Sequence, residues 1–325
     1  MPTDLTLAIC MYNAEDYITE TLQCILAQTK QDFHLLILDD CSTDNCANCV
    51  EHFFNIHPRQ YELIRHNENK GLAAMRHKAE QYAQTQYLLF VDADDLPVNT
   101  LVEKLYTKIT SDNDLMAVGC YMDYINDEGK PIAGGIYLGE TTKKSFYSKA
   151  EKEKLIFMPA IAIFDRELAL SVGGHNIEGF PIGKPRYQDY CEDLDLWTRM
   201  SDLYKQNKAI IVIPEVLYHY RKHIQSLSAN TLPMLLRMRH VKQNLKRRRQ
   251  GKNDMSFIDF YAQLTPERYQ QLKSEAKAAD MLRMGYYNLR KGKYFSGLLL
   301  LCQSICASPS YFLDKIKHNL LHKYR

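Results

Sequence analysis

Between residues 5 and 95, short apolar runs alternate with stretches of helical periodicity, and this alternation limits the fold more than any other feature of the chain. The runs are Leu5 to Cys10, Phe33 to Leu38, Tyr61 to Arg65 and Tyr87 to Val91. Runs of this length, rich in β-branched and aromatic residues, read as buried strands. Tyr12-Asn13-Ala14-Glu15 turns the chain into a helix in which Ile18, Leu22, Ile25 and Leu26 share one face. Further helices are expected from Thr43 towards Ile56 and from Leu72 to Gln84, the latter after the polar turn Asn67-Glu68-Asn69-Lys70-Gly71. A regular β-α-β-α-β-α-β order predicts an α/β fold with a parallel sheet and helices on both faces.

The fourth run ends in Asp92-Ala93-Asp94-Asp95. Three carboxylates at the end of a buried strand are costly unless paired, and in open α/β sheets the ligand crevice lies at the carboxyl ends of the strands. Closely spaced Asp oxygens there suit a hard divalent cation that keeps positions open for phosphate oxygens. Capping is a second use: Asp94 or Asp95 would cap a helix from about Val98, with Pro97 near its first turn. A cap needs one carboxylate and this stretch supplies three, so metal and phosphate chemistry is assigned to Asp92 and Asp94.

The chain's 325 residues suffice for one large domain with an appendage, or for two domains. The net charge of +2 conceals an asymmetry. Residues 1–225 carry 22 Lys and Arg against 33 Asp and Glu; residues 226–325 carry 19 against 6. An acidic body with a basic tail meets two kinds of partner. Nine scattered cysteines without an extracellular spacing imply reduced thiols and a cytoplasmic location. Cys46-Ala47-Asn48-Cys49 lacks a second pair and reads as idle thiols rather than zinc ligands. No signal peptide is expected, because Asp4 interrupts the start, and no apolar run approaches the roughly 20 residues of a membrane span.

Beyond Pro97 a helix is expected near Val98 to Ile109, then strands at Leu115 to Tyr121 and Ile132 to Tyr137 joined through the turn Asn126-Asp127-Glu128-Gly129. Ala160 to Phe164 is a further strand candidate. A long polar loop, Glu178 to Tyr190, precedes Glu192-Asp193-Leu194-Asp195-Leu196-Trp197, which starts a helix with acids in its favoured first turn. Ala209 to Ile213 and Val216 to Tyr220 read as two closing strands. In the tail, helices are expected at Pro233 to Leu245, Pro266 to Leu289 and Tyr294 to Ile305. The run Lys246-Arg247-Arg248-Arg249-Gln250-Gly251-Lys252 reads as a docking patch for an anionic inner-membrane surface, with the solvated basic face of a helical packing module as the alternative. Domains are expected at 1–228 and 229–325.

Six stretches together resemble the family-2 glycosyltransferases. They are Cys10 to Glu15, Leu38 to Asp44, Asn69 to Arg76, Asp92 to Asp95, Glu192 to Trp197 and Tyr220-Arg221-Lys222-His223. The resemblance covers residues 4 to about 228 and implies the GT-A fold, with a helical C-terminal extension here. It also implies an inverting transfer of a sugar from a nucleoside diphosphate, with UDP first in mind, to a glycan or lipid-linked acceptor in surface-polysaccharide synthesis. By the same resemblance Tyr12, Glu15, Asp39 and Asp40 line the nucleoside pocket, while Lys70, Gly71 and Arg76 approach the ribose and diphosphate. Ala93 lies between the motif acids; Asp94 ligates Mn2+ or Mg2+, and Asp92 contacts ribose or the ion through water. Asp193 is the expected base with Glu192 beside it, and Arg221 and His223 close the diphosphate and metal site, with His219 as a competitor for His223. Nucleic acid is not an expected partner.

The sequence departs from the family where Cys10-Met11 stands for Pro-Thr, where Cys41 stands for Gly, so that the turn is expected to form without free positive φ, and in the length of the loop from Gly174 to Glu192. Two rival readings carry their own signatures. A sugar nucleotidyltransferase of related fold would place a Gly-rich basic loop after the first strand, where Tyr12-Asn13-Ala14-Glu15 has neither feature. A non-catalytic module tethered by the basic tail has no need of Asp94 and Asp193.

Overall fold

The computed structural model describes residues 3–222, 230–290, 292–313 and 315. Four strands, β1 (Leu5–Met11), β2 (His34–Asp39), β3 (Glu62–Arg65) and β4 (Tyr87–Asp92), alternate with α1 (Ile18–Leu26), α2 (Cys46–Ile56) and α3 (Leu72–Tyr82). They pair in the parallel order β3-β2-β1-β4. Every residue of β1 is buried, as a strand covered on both faces requires. On α1 the predicted face, Ile18, Leu22 and Ile25, is buried together with Thr21.

Past β4 the structure departs from the expected pattern. The helix expected near Val98 to Ile109 is present but starts later, at Leu101. Leu96–Pro97 forms a short strand, β5, antiparallel to the last strand, and the helix α4 spans Leu101–Thr110. Asp95 does not cap it: its carboxylate accepts the backbone N–H of Arg221 at 2.7 Å. The sheet continues through β6 (Leu115–Ile125), β7 (Pro131–Ile136), β8 (Ala162–Asp165) and β9 (Ala209–Arg221) in the order β4-β8-β6-β9-β5, with β7 on β6. The sheet is therefore mixed, because β8 runs antiparallel to both β4 and β6. The two expected closing strands are one: β9 keeps its pairing with β6 across a register shift that absorbs Pro214 and Glu215, since a bulge is where a strand tolerates proline. The helices α5 (Lys143–Glu151) and α6 (Arg166–Ser171), absent from the sequence reading, precede α7 (Glu192–Met200).

The tail holds α8 (Thr231–Arg249), α9 (Phe257–Ala262), α10 (Pro266–Arg290) and α11 (Tyr294–Ala307). The chain forms two compact units, Met1–Glu178 with Cys191–Ser226 and Val241–Asp254, and Gly179–Tyr190 with Leu227–His240 and Met255–Arg325. A single boundary at residue 228 is thus too simple. The loop residues Phe180 and Tyr187 stack on Phe257, at ring separations of 5.6 and 4.6 Å, in the small core of the second unit. The basic run belongs with the first unit: Arg248 pairs with Asp202 at 2.5 Å and Asp254 at 2.9 Å, and Arg249 with Asp202 at 3.0 Å. The two arginines at the centre of the expected docking patch are therefore engaged within the protein.

Candidate active site

The connections of the sheet reverse between β1 and β4, the kind of switch point at which a crevice opens beyond the strand ends. Pairing sets Cys10 beside Asp92 and Met11 beside Asp39, so the acidic ends of β2 and β4 flank the end of β1. The four-residue acid segment is held from beneath by the buried Thr21, whose hydroxyl lies 2.9 Å from the carbonyl oxygens of both Ala93 and Asp95. From β9, Tyr218 accepts the Asp92 N–H at 3.0 Å.

Arg221 closes the same segment. Its Nε donates to the Asp94 carbonyl, its Nη1 to that of Asp127 and its Nη2 to Glu20, each at 2.7 Å. The side chain is buried, and its guanidinium clamps backbone rather than projecting towards a phosphate. His223 lies outside the described residues.

Arg76 is only 2% exposed, so it is neither a solvated helix residue nor an open phosphate fork. It bridges two acids: Nη2 to Asp92 Oδ1 at 2.9 Å and Nη1 to Glu192 Oε1 at 2.7 Å. Its guanidinium also lies 5.4 Å from the centroid of the Phe90 ring. This one side chain ties the end of β4 to the start of α7, where Asp193 follows Glu192. One turn along α3, Glu80 accepts from the N–H of His175 at 2.8 Å and meets its Nδ1 at 2.7 Å. The His175 ring stands edge-on to Phe90, and Arg199 of α7 donates to the neighbouring Gly174 carbonyl at 2.7 Å.

The acids of the crevice repel one another. Burial pushes the Asp92 carboxyl up, Arg76 opposes this, and Asp94 and Asp193 add to the rise. Asp95 is raised well above the ordinary range by burial and then by Asp94 and Asp92. Asp193 is raised by burial against the pull of Arg76 and, more weakly, His175. Carboxylates thus outnumber the cations that face them, which is a donor set suited to a divalent ion. Among the described residues no three His, Cys, Asp or Glu side chains gather as a complete ligand set. An ion held by one or two carboxylates and completed by phosphate oxygens and water needs no such set.

The loops after β1 and β2 interlock. Glu15 accepts the Asn45 N–H at 3.0 Å, Asn13 accepts the Thr43 N–H at 2.8 Å, and Asp39 accepts the Ser42 N–H at 3.0 Å. Asp40 is buried and receives the N–H groups of Lys70 and Gly71 at 2.7 and 2.8 Å, which fixes the start of α3. Tyr12 is exposed at the mouth of this loop pair, and the Lys70 ammonium pairs with Glu68 at 3.1 Å. Cys41 adopts φ 61°, so the turn does enter the left-handed region without glycine.

Sequence reasoning missed Thr21, Glu80, His175 and Tyr218. The one local signal was the spacing of Arg76 and Glu80, which places both on one face of α3.

The glycosyl transferase family 2 model matches residues 6–172, about half of the chain. An uncharacterized glycosyltransferase of Haemophilus influenzae is 25% identical over 220 residues, 67% of this chain and 65% of its own length. A teichoic acid poly(glycerol phosphate) polymerase of Staphylococcus epidermidis is 38% identical over 91 residues, 28% of this chain and 13% of its own, and the glycosyltransferase GlyG of Streptococcus pneumoniae is 30% identical over 126 residues, 38% and 41%. The matched stretch thus spans less than two-thirds of each of these relatives. Among solved structures, S. aureus TarS 1-349 in complex with UDP-GlcNAc superposes with a TM-score of 0.55 at 19% identity, over 95% of this chain and 91% of that one. The mannosyltransferase PcManGT of Pyrobaculum calidifontis with GDP-Man and Mn2+ gives 0.55 at 21% identity, over 99% and 88%. The fold is GT-A.

Proposed function

The chain belongs to glycosyl transferase family 2, and from that membership we propose that it moves a sugar from a nucleoside diphosphate to a hydroxyl of a glycan or lipid-linked acceptor, with inversion at the anomeric carbon. UDP is the nucleotide we assign first, surface polysaccharide the product class, and the inner face of the plasma membrane the place of work. The UDP-GlcNAc complex of the TarS fragment and the teichoic acid polymerase among the relatives support that choice. One observation carries the reading: Arg76 joins the acidic end of β4 to the helix start that bears Asp193.

In this reading Tyr12, Glu15 and Asp39 border the base and ribose, with Asp40 and Gly71 holding the loop that approaches the ribose and diphosphate. Arg76 holds Glu192 and so sets the rotation of α7 about its first turn. Asp193 takes the proton of the acceptor hydroxyl as that oxygen bonds to the anomeric carbon from the face opposite the nucleotide. The bond from that carbon to the diphosphate breaks, and its electron pair leaves with the nucleoside diphosphate. A base with a raised pKa suits this work, because proton transfer is most effective near the operating pH. A divalent cation at Asp94 and Asp92, of the kind present with PcManGT, would neutralise the charge developing on the leaving diphosphate.

The test is release of free nucleoside diphosphate from a panel of nucleotide sugars with and without Mn2+. Asp193→Asn is expected to bind donor and lose about 10²-fold or more in turnover. Wild-type turnover in that variant removes the base role from Asp193.

A further inference from the structure

In α11 the usual helix pattern is inverted. None of its 14 residues is charged, yet the residues it buries are Gly297 and Ser304. Most of the large apolar side chains are open to solvent: Tyr294 is 68% exposed, Phe295 85%, Leu298 57% and Leu299 49%, while Leu300 and Leu301 are half-buried. Small residues face α10 because the two backbones run close together. A β-carbon on Gly297 would lie 3.1 Å from the Gly285 carbonyl oxygen, and one on Gly285 would lie 3.2 Å from that of Gly297. Ser304 adds a hydrogen bond to the Ala278 carbonyl at 2.7 Å. Helices that pack through small residues and turn leucines outward suit hydrocarbon surroundings, where apolar side chains gain nothing by facing inward. In water, contiguous apolar surface of this kind marks an interaction site. Nearly half of the large apolar side chains found exposed among the described residues fall between residues 284 and 313.

Length and charge specify the partner. Fourteen residues rise about 21 Å, short of the roughly 30 Å of a hydrocarbon core, and no helix among the described residues is long and apolar enough to cross a membrane. In sequence, residues 290–325 carry seven Lys and Arg against the single acid Asp314, with none of these charges between 294 and 307. An uncharged apolar helix with cationic flanks complements an anionic headgroup layer over an acyl layer. We propose that the α10–α11 hairpin is a monotopic anchor on an anionic phospholipid bilayer, with Phe295, Leu298 and Leu299 entering the acyl boundary and Lys293 and Lys315 among the headgroups. This moves the membrane contact from the basic run at 246–252, where Arg248 and Arg249 are already paired, to the far end of the tail. It gives the membrane location proposed above a physical site, but its test reads lipid binding alone, so either can fail without the other.

Full-length protein is floated with vesicles of phosphatidylglycerol and phosphatidylcholine, or of phosphatidylcholine alone. In parallel the exposed thiols of Cys302 and Cys306 are alkylated and quantified by mass spectrometry. Flotation with the anionic vesicles, roughly tenfold weaker with phosphatidylcholine, is expected, together with protection of both thiols. Leu298→Asp combined with Leu299→Asp removes flotation and protection while the fluorescence-detected unfolding of Trp197 in the first unit stays unchanged. Lys293→Glu lowers the preference for anionic vesicles and leaves the apolar face intact. Wild-type protein that does not float, or a double variant that floats as well as wild type, overturns the proposal. So does a concentration-dependent dimer that protects Cys302 and Cys306 without lipid, because a second copy would then cover the face.

Discussion

Replacing Arg76 with methionine isolates the bridge on which the proposed site rests. Methionine keeps much of the side chain's length and its packing near Phe90, but it removes both charge-assisted bonds, at 2.7 and 2.9 Å. Each such bond contributes about 1.5–3 kcal/mol. Removing one partner of a buried ionic group also leaves the others uncompensated, which costs about 3–5 kcal/mol in total. Trp197 is the chain's sole tryptophan and sits in the core of the first unit, so its fluorescence follows the unfolding of that unit in urea. With a slope of about 3 kcal/mol/M the midpoint is expected to fall by about 1 M or more. The deficit has a pH dependence of known sign. The Asp92 pKa is already above its ordinary value in the folded protein, and loss of Arg76 raises it further. A carboxyl whose folded pKa is raised binds a proton more tightly when folded, so stability falls as pH rises through the interval between unfolded and folded values. The Arg76→Met deficit is therefore largest near pH 8 and shrinks towards pH 5. A loss under about 1 kcal/mol at pH 7.5, as for an exposed ion pair, or a deficit that grows in acid, refutes the reasoning.

His175→Phe removes the imidazole whose interaction lowers the Asp193 pKa, so the acid limb of the rate profile should move to higher pH while donor affinity holds; an unmoved limb excludes the influence. In Glu80 burial acts to raise the pKa, but the charge and hydrogen bonds of His175 outweigh it and bring the group to about 2. Its contribution is thus present above the ordinary Glu range and lost as pH falls towards 2, so Glu80→Gln should unfold at lower urea at pH 7 and converge with wild type in acid. Gly174→Ala would place a β-carbon 2.5 Å from Glu80 Oε2 at φ +60°, which should destabilise by about 1–3 kcal/mol in the same urea assay. Stabilisation of the folded protein by UDP with Mn2+, read as a thermal shift, should vanish in Asp94→Ala and persist in Arg248→Ala.

The four parallel strands were legible because apolar runs bounded by acids and turns specify strands locally. The motif acids were legible because they sit at strand ends. The bridging role of Arg76 was not, since a guanidinium in the second turn of a polar helix looks solvated until Glu192, more than a hundred residues later, folds against it. The helix expected near Val98 starts only at Leu101 because Leu96 and Pro97 pair with β9 as a short edge strand, a pairing between residues distant in sequence. Pro214 suggested a break that a bulge absorbs. The basic run suggested free charge because nothing local shows that Asp202 lies beside it.

α3 begins where Asp40 receives the N–H groups of Lys70 and Gly71, and within eleven residues it carries both Arg76 and Glu80. A helix of this length transmits displacement as a stiff rod. Tilting its first turn towards or away from the loops after β1 and β2 therefore swings the anchors of Glu192 and His175 by a comparable amount, so the two ends of the crevice share one mechanical degree of freedom.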